Sequence, residues 1–196
     1  MNCSLSTLTA FNVADQLGHW GKLRDLLIDL PSLRCRYLSV DASEGLHEPE
    51  LWAPVEALAR VDPLHGSLEI RSSLDKASAK RIAMLSAPSG DLDELRLHRL
   101  YRTRPAWSPA LQAKAPAVRR GRSRLFRCSS LVGFDVLTHA GERGRVSDLY
   151  FDDKDLSLSA FSLELDWDQG PLHWQFWEGR PCKLFPDGHG IYLDLT

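Results

Sequence analysis

The sequence predicts a mainly β protein made of two small barrels in tandem with a short helical connector, and three observations predict it. The chain repeats itself without a gap. Residues 10–41 fall on residues 133–164 at an offset of 123, and nine of the 32 aligned positions are identical, where ordinary composition gives about two. Apolar and polar residues alternate late in each unit. Leu38 and Val40 stand against Tyr37, Ser39 and Asp41, and Phe161, Leu163 and Leu165 against Ser162, Glu164 and Asp166. That period belongs to a sheet with one wet face and one buried face. The segments are also short and punctuated by Gly, Asp and Pro, which favours a small barrel or sandwich. Closure into a barrel would hide the sheet edges.

In the first unit, residues 10–14 read as a short strand, 15–19 as a turn, 21–29 as a longer strand, 30–32 as a second turn and 34–42 as a third strand. The identities pair Phe11 with Phe134, Val13 with Val136, Gly18 with Gly141, Gly21 with Gly144 and Asp25 with Asp148. Leu26, Asp29, Leu33 and Ser39 meet Leu149, Asp152, Leu156 and Ser162. The glycines flank the first turn, where positive φ or a bulge is expected and Gly adopts it cheaply. A GxxG loop could instead present amides to a phosphate, but no helix follows to supply the usual anion-binding terminus. A second echo, residues 68–71 against 193–196, closes each unit.

Between the units the period changes. Residues 72–75 read as a capped helix start, and residues 74–85 carry helix formers until Pro88, Ser89 and Gly90 stop them. A second helical stretch runs from Asp91 to about Arg102, with Leu92, Leu95 and Leu100 as its apolar side. Pro105, Pro109 and Pro116 mark an irregular connection before the second unit begins near Leu125. The expected organisation is a first barrel at 1–72, a helical and basic linker at 73–123 and a second barrel at 124–196.

The 196 residues leave room for one or two domains, and 43% of them are apolar. No stretch approaches the roughly 18 uninterrupted apolar residues of a membrane span. The first residues also lack a basic then apolar secretory pattern. Cys3, Cys35, Cys128 and Cys182 are scattered without a CxxC pair. Reduced, mostly buried thiols in a cytoplasmic protein are the expectation. The net charge of −2 hides an asymmetry. Residues 95–134 contain ten Lys or Arg and no Asp or Glu, leaving 14 basic against 26 acidic residues elsewhere, a balance of −12. A positive strap crosses an acidic protein.

Asp25 and Asp148 invite a catalytic reading because both repeats keep them. Each lies inside an expected strand, where Asp is unfavourable unless a bulge or turn supplies backbone donors, so a structural role is preferred. The seven histidines show no HExxH or HxH spacing, and no GxSxG, Walker or dinucleotide fingerprint exists. No catalytic residue, cofactor or metal ligand is therefore assigned. Trp167, Trp174 and Trp177 crowd one hairpin. If Leu172, Trp174 and Phe176 form its core face, Trp177 lies on the opposite face, as a residue that anchors interfaces. A neighbouring barrel or the linker could equally cover it. Trp174 and Trp177, with Arg119, Arg120, Arg122 and Arg124 of the strap, are the candidate partner-binding residues. Some of this surface is expected to be hidden, either between the two barrels or across a homodimer, in a compact particle.

These features resemble the PRC-barrel family, named for the cytoplasmic domain of the photosynthetic reaction-centre H subunit and found in the ribosome maturation factor RimM. The family pattern is a strand with G-x-x-V, then G-x-x-G-x-[VIL]-x-D-[LF]-x-x-D, a turn and an alternating strand. It is matched by Ala10 to Val13, residues 18–29 and 36–41, and again by Gly133 to Val136, residues 141–152 and 160–166. Residues 97–102 with Pro105, Ala106 and Trp107 resemble the connector of the bacterial subgroup that carries two barrels in tandem. The resemblance implies a non-enzymatic protein-binding or assembly module. The alternative is an RNA- or ribosome-associated factor using the Arg-rich linker. With −12 on the rest of the chain and few aromatic platforms beside the arginines, weak, non-specific nucleic-acid binding at most is expected.

Overall fold

A computed structural model describes residues 2–16, 18–29, 32–41, 50–71, 91–105, 125–138, 141, 143–165, 172–175, 182–184 and 190–193. The chain opens with β1 (Asn2–Ser4) and the short helix α1 (Leu5–Leu8), followed by β2 (Asn12–Asp15), β3 (Gly18–Asp29), β4 (Arg34–Asp41) and β5 (Glu50–Pro54). A 3-10 turn (Val55–Ala57) leads to β6 (Leu58–Asp62) and β7 (Ser67–Ile70), and α2 (Asp91–Leu100) follows. The second unit repeats the order with β8 (Leu125–Arg127), α3 (Cys128–Leu131), β9 (Asp135–Thr138), β10 (Arg143–Asp152) and β11 (Leu158–Leu165). It ends with β12 (Leu172–Gln175), β13 (Cys182–Leu184) and β14 (Gly190–Leu193). The protein is mainly β, as the alternation and turn spacing predict.

Two sheets of the same plan result. The first runs β5-β4-β3-β2-β7-β6 and the second β12-β11-β10-β9-β14-β13. In each, the last strand of the unit lies parallel to its first hairpin strand: β7 on β2, and β14 on β9. The registers set Leu68 against Val13 and Ile191 against Val136, so Leu68 corresponds to Ile191 and the closing echo expected at residues 193–196 is corrected by two positions; residues 194–196 lie outside the described residues. The ladder does not close, because no described pairing joins β5 to β6 or β12 to β13. The expected barrel is therefore corrected to an open sheet among the described residues. At the corner after β5 the chain meets Pro54, which has no N–H to donate, and turns in a 3-10 geometry before β6 begins.

The edges are protected by an exchange between the repeats. β2 covers β3 only over Gly18 to Lys22, and the free half of that edge, Leu27 to Asp29, is taken by β8 from the second repeat. Reciprocally, β1 pairs with Tyr150, Phe151 and Asp152 of β10. The registers match through the 123-residue offset: Cys3 faces Phe151 as Phe126 faces Ile28. Arg34 and Ser157, equivalent positions of the two repeats, bridge one another directly, and Leu158 N donates to Leu33 O at 2.9 Å. Equivalent residues meeting each other is the signature of a two-fold relation. The repeats form an internal pseudo-dimer.

The same offset carries the local irregularities. Each long strand has register shifts at corresponding places, between Leu23 and Asp25 and between Val146 and Asp148, then at Leu27/Ile28 and Tyr150/Phe151. Leu33 and Leu156 both have φ of 54°. Gly18 and Gly141 take φ of 135° and 84° with open space around a built Cβ, so the backbone angle and not packing demands glycine there. Gly144 is different: it is not among the positive-φ residues and pairs on both edges, with Val136 and Leu165.

Leu8, Val13, Leu23, Leu26, Ile28, Leu38, Val40, Leu68 and Ile70 are buried in the first unit, and Leu131, Val136, Val146, Leu149, Phe151, Phe161 and Leu163 in the second. The expected wet face of β4 is a second correction. Tyr37 and Ser39 are as buried as Leu38 and Val40, because Tyr37 lies under α2 and Ser39 bonds Glu50 of β5.

Candidate functional site

The aspartates kept by both repeats lie at the exchange seam. β3 bulges at Asp25, which turns the carboxylate toward the incoming α3 and leaves nearby amides free to bond it. One oxygen, Oδ1, accepts from Leu26 N at 2.8 Å and Ser129 N at 3.1 Å, and Oδ2 accepts from Ser129 Oγ at 2.5 Å. Asp25 thereby caps a helix of the other repeat, whose own cap position, Arg127, makes no side-chain capping bond. Asp148 takes the corresponding place beside α1, whose own Ser4 already caps it by accepting from Thr7 N. Its Oδ1 accepts from Leu149 N at 2.7 Å and its Oδ2 from Ser6 Oγ at 2.6 Å, and Ser6 is the equivalent of Ser129. Each aspartate is engaged by its own set of donors. The arrangement holds two repeats together and does not compose a carboxylate pair.

Around Asp25 the seam also carries a charged cluster built on Arg127, whose place beside Asp148 is taken by Ser4. Arg127 forks onto Glu50, with Nη1 to Oε1 at 2.8 Å and Nη2 to Oε2 at 2.7 Å. Its guanidinium lies 5.0 Å over the Trp52 ring and 3.9 Å from Asp25 Oδ2. Ser39 Oγ also donates to Glu50. Partial burial alone would raise the Glu50 pKa, but the Arg127 and Ser39 hydrogen bonds hold it below the usual carboxylate range. The same carboxylate raises the Arg127 pKa. A bidentate, stacked arginine of this kind fixes geometry as well as charge.

A second buried polar cluster docks α2 onto the first sheet. Tyr37 OH donates to Glu94 Oε2 at 2.8 Å, and His98 Nε2 lies 3.3 Å from the same phenol oxygen. Because the phenol proton is committed to Glu94, His98 must carry its proton on Nε2, and Nδ1 then accepts from Thr103 Oγ1 at 2.8 Å. Arg36 sits 3.8 Å from Glu94. Burial, and then the Arg36 charge, depress the His98 pKa to about 4. Burial raises the Tyr37 pKa, with the Glu94 charge and hydrogen bond adding to it. Leu97 and Tyr101 complete the inner face, Tyr101 meeting Trp20 with ring centroids 6.1 Å apart. The expected apolar side of this helix is thus corrected. Leu95 points outward and Leu100 is half-buried, because the sheet offers the Tyr37 phenol and so calls for Glu94 and His98.

Of the partner-binding candidates, Arg119, Arg120, Arg122, Arg124 and Trp177 lie outside the described residues. Trp174 sits in β12, paired in register with Phe161. Gly21 and Gly144 face Val13 and Val136, and Asp25 and Asp148 face Ser39 and Ser162, at equivalent places in the two sheets, whereas Gly18 opens β3 and Gly141 precedes β10. Among the described residues, no three His, Cys, Asp or Glu side chains converge as a metal site would require, and no helix is long and apolar enough to cross a membrane. Cys3, Cys35 and Cys128 are free and buried, and burial raises all three thiol pKa values. Ser6, Ser129, Glu50 and Arg127 escaped the sequence reading. The signal for the serines was present, since extending the repeat leftward adds the identities Ser6 to Ser129 and Leu8 to Leu131. For Arg127 and Glu50 the repeat offers no such match.

No protein-family model matches the chain, and no curated protein matches it either.

Proposed function

We propose that this chain is a non-enzymatic binding or assembly module of the tandem PRC-barrel type, working through its surface as an accessory to a larger assembly. The observation that supports this reading best is where the polar groups go. Asp25 caps a helix across the seam, Asp148 accepts from Ser6 across it, Arg127 and Glu50 satisfy one another, and His98 is closed in by Tyr37 and Thr103. Groups with chemical potential are used to build the body, which leaves recognition to exposed side chains. The twice-occurring motif, with Gly21 and Gly144 and the two aspartates in equivalent strands, supports the family resemblance. Affinity purification of the full chain from its native lysate, repeated after nuclease treatment, tests the role. A stoichiometric protein partner that survives nuclease supports it, and capture of nucleic acid alone overturns it.

The second reading, an RNA- or ribosome-associated factor, rests on the ten basic residues within positions 95–134. Such binding would weaken steeply with salt. Filter binding with structured RNA near physiological salt decides it. Tight binding lost on replacing Arg119, Arg120, Arg122 and Arg124 with alanine would place this reading first.

A further inference from the structure

We propose that the outer face of α2 is a docking surface for an acidic protein segment that also presents an apolar side chain. The inference rests on the binding-module reading and names the surface and the kind of partner. On α2 the buried positions are Glu94, Leu97, His98 and Tyr101, a spacing of i, i+3, i+4 and i+7. The opposite stripe is Leu95, Arg99 and Arg102, at i, i+4 and i+7, with Arg96 and Arg104 exposed beside it. Glu94 turns its carboxylate inward, away from this stripe. Arg99, Arg102 and Arg104 make no side-chain hydrogen bond or ion pair among the described residues.

The end of the helix supplies an independent observation. Arg102 N bonds Arg99 O at 3.3 Å and Thr103 N bonds His98 O at 2.9 Å, the paired bonds of a Schellman ending. Its left-handed residue is Arg102, at φ of 53°. Glycine is the favoured residue there, and an arginine strains the backbone. The helix therefore ends on an exposed guanidinium at a position where glycine would be more stable. The helix is also held rigidly by the Tyr37, Glu94, His98 and Thr103 network, so the stripe is presented in fixed geometry and little ordering is needed on binding.

The partner's chemistry follows from Leu95, which is 41% exposed in the middle of the arginines. A sugar-phosphate backbone has nothing to set against it. Tyr101, the aromatic residue at the end of the helix, is turned inward and buried against Trp20. The −12 balance of the rest of the chain also repels an extended polyanion more than a short acidic segment. Carboxylates can fork onto the guanidinium groups while an apolar side chain covers Leu95.

Fluorescence anisotropy on the full-length protein at physiological salt tests this with three probes. They are a Glu- and Leu-containing amphipathic peptide of about 20 residues, long enough to hold a helix, a polyglutamate of equal charge, and an oligouridine of equal charge. The Glu/Leu peptide should bind best. Arg99→Glu with Arg104→Glu should weaken it about tenfold or more. Leu95→Ala should weaken the Glu/Leu peptide several-fold and leave polyglutamate unchanged. Arg102→Gly should weaken binding while raising the melting temperature by about 2 °C, which a purely structural role for Arg102 does not allow. Oligouridine binding as tightly as the peptide, or peptide binding indifferent to all three changes, overturns the proposal. If partners captured from lysate are retained by the Arg99→Glu, Arg104→Glu protein, the docking face is wrong while the module reading stands.

Discussion

Replacing Asp25 with alanine removes the acceptor for Leu26 N, Ser129 N and Ser129 Oγ in one step. Asp25 is 2% exposed, so the Leu26 amide loses its partner where water cannot readily replace it, at about 1–3 kcal/mol. Loss of the cap on α3 adds about 1 kcal/mol. The Ser129 side is exposed and water there offsets part of the loss, giving about 3 kcal/mol in total. Asp148→Ala is the internal control. The equivalent carboxylate accepts from Leu149 N and Ser6 Oγ and is half-buried, so about 1 kcal/mol is expected. Urea denaturation of the full chain measures both. For a chain of this size, 3 kcal/mol corresponds to a fall of about 6–12 °C in melting temperature. Equal destabilisation by the two substitutions, or a loss below about 1 kcal/mol at Asp25, would refute the assignment of Asp25 as the tighter cross-repeat cap.

Three further outcomes follow from the same geometry. The folded His98 titrates near pH 4 against an ordinary value of 6.5, so between those values the unfolded chain binds the proton and the folded one does not. Its contribution is full above pH 6.5 and is lost as pH falls toward 4, by up to about 3 kcal/mol. His98→Gln should flatten that part of a pH-dependent melting curve, and identical curves for the two proteins would exclude the effect. Gly141→Ala should cost about 1 kcal/mol through φ alone, since its Cβ has open space. A neutral result in chemical denaturation would mean that the turn relaxes. Native protein treated with a thiol reagent and weighed by mass spectrometry should leave Cys3, Cys35 and Cys128 unmodified, all three being buried thiols. Rapid labelling of Cys35 or Cys128 without unfolding would contradict their placement.

The repeat made much of the fold legible before any coordinates. An ungapped offset forces equivalent bulges, turns and registers, and the strands built on Val13, Asp25 and Ser39 recur at Val136, Asp148 and Ser162. The aspartates were legible as structural, because Asp within a strand needs donors that a bulge provides. Which repeat supplied the donors was not. Sequence spacing alone cannot tell whether β1 completes its own sheet or its neighbour's, since both receive the same registers in a two-fold arrangement. The face of α2 was misread for a different reason. Leu95 and Leu100 are the apolar choice (the Leu92 side chain lies outside the described residues), but tertiary context placed a phenol beneath the helix and buried Glu94 and His98 instead. The Arg127 and Glu50 pair joins residues 77 positions apart, a contact invisible to local pattern.

The account's central claim is that each repeat is completed by the first strand of the other. Amide NOEs measured on full-length protein, mixing isotope-labelled and unlabelled chains to keep only contacts within one molecule, test it directly. The exchange predicts cross-strand contacts from Asn2, Cys3 and Ser4 to Asp152, Phe151 and Tyr150, and from Leu125, Phe126 and Arg127 to Asp29, Ile28 and Leu27. Contacts from Cys3 to Ile28, or from Phe126 to Phe151, would show each repeat closing on its own strand and would contradict the seam.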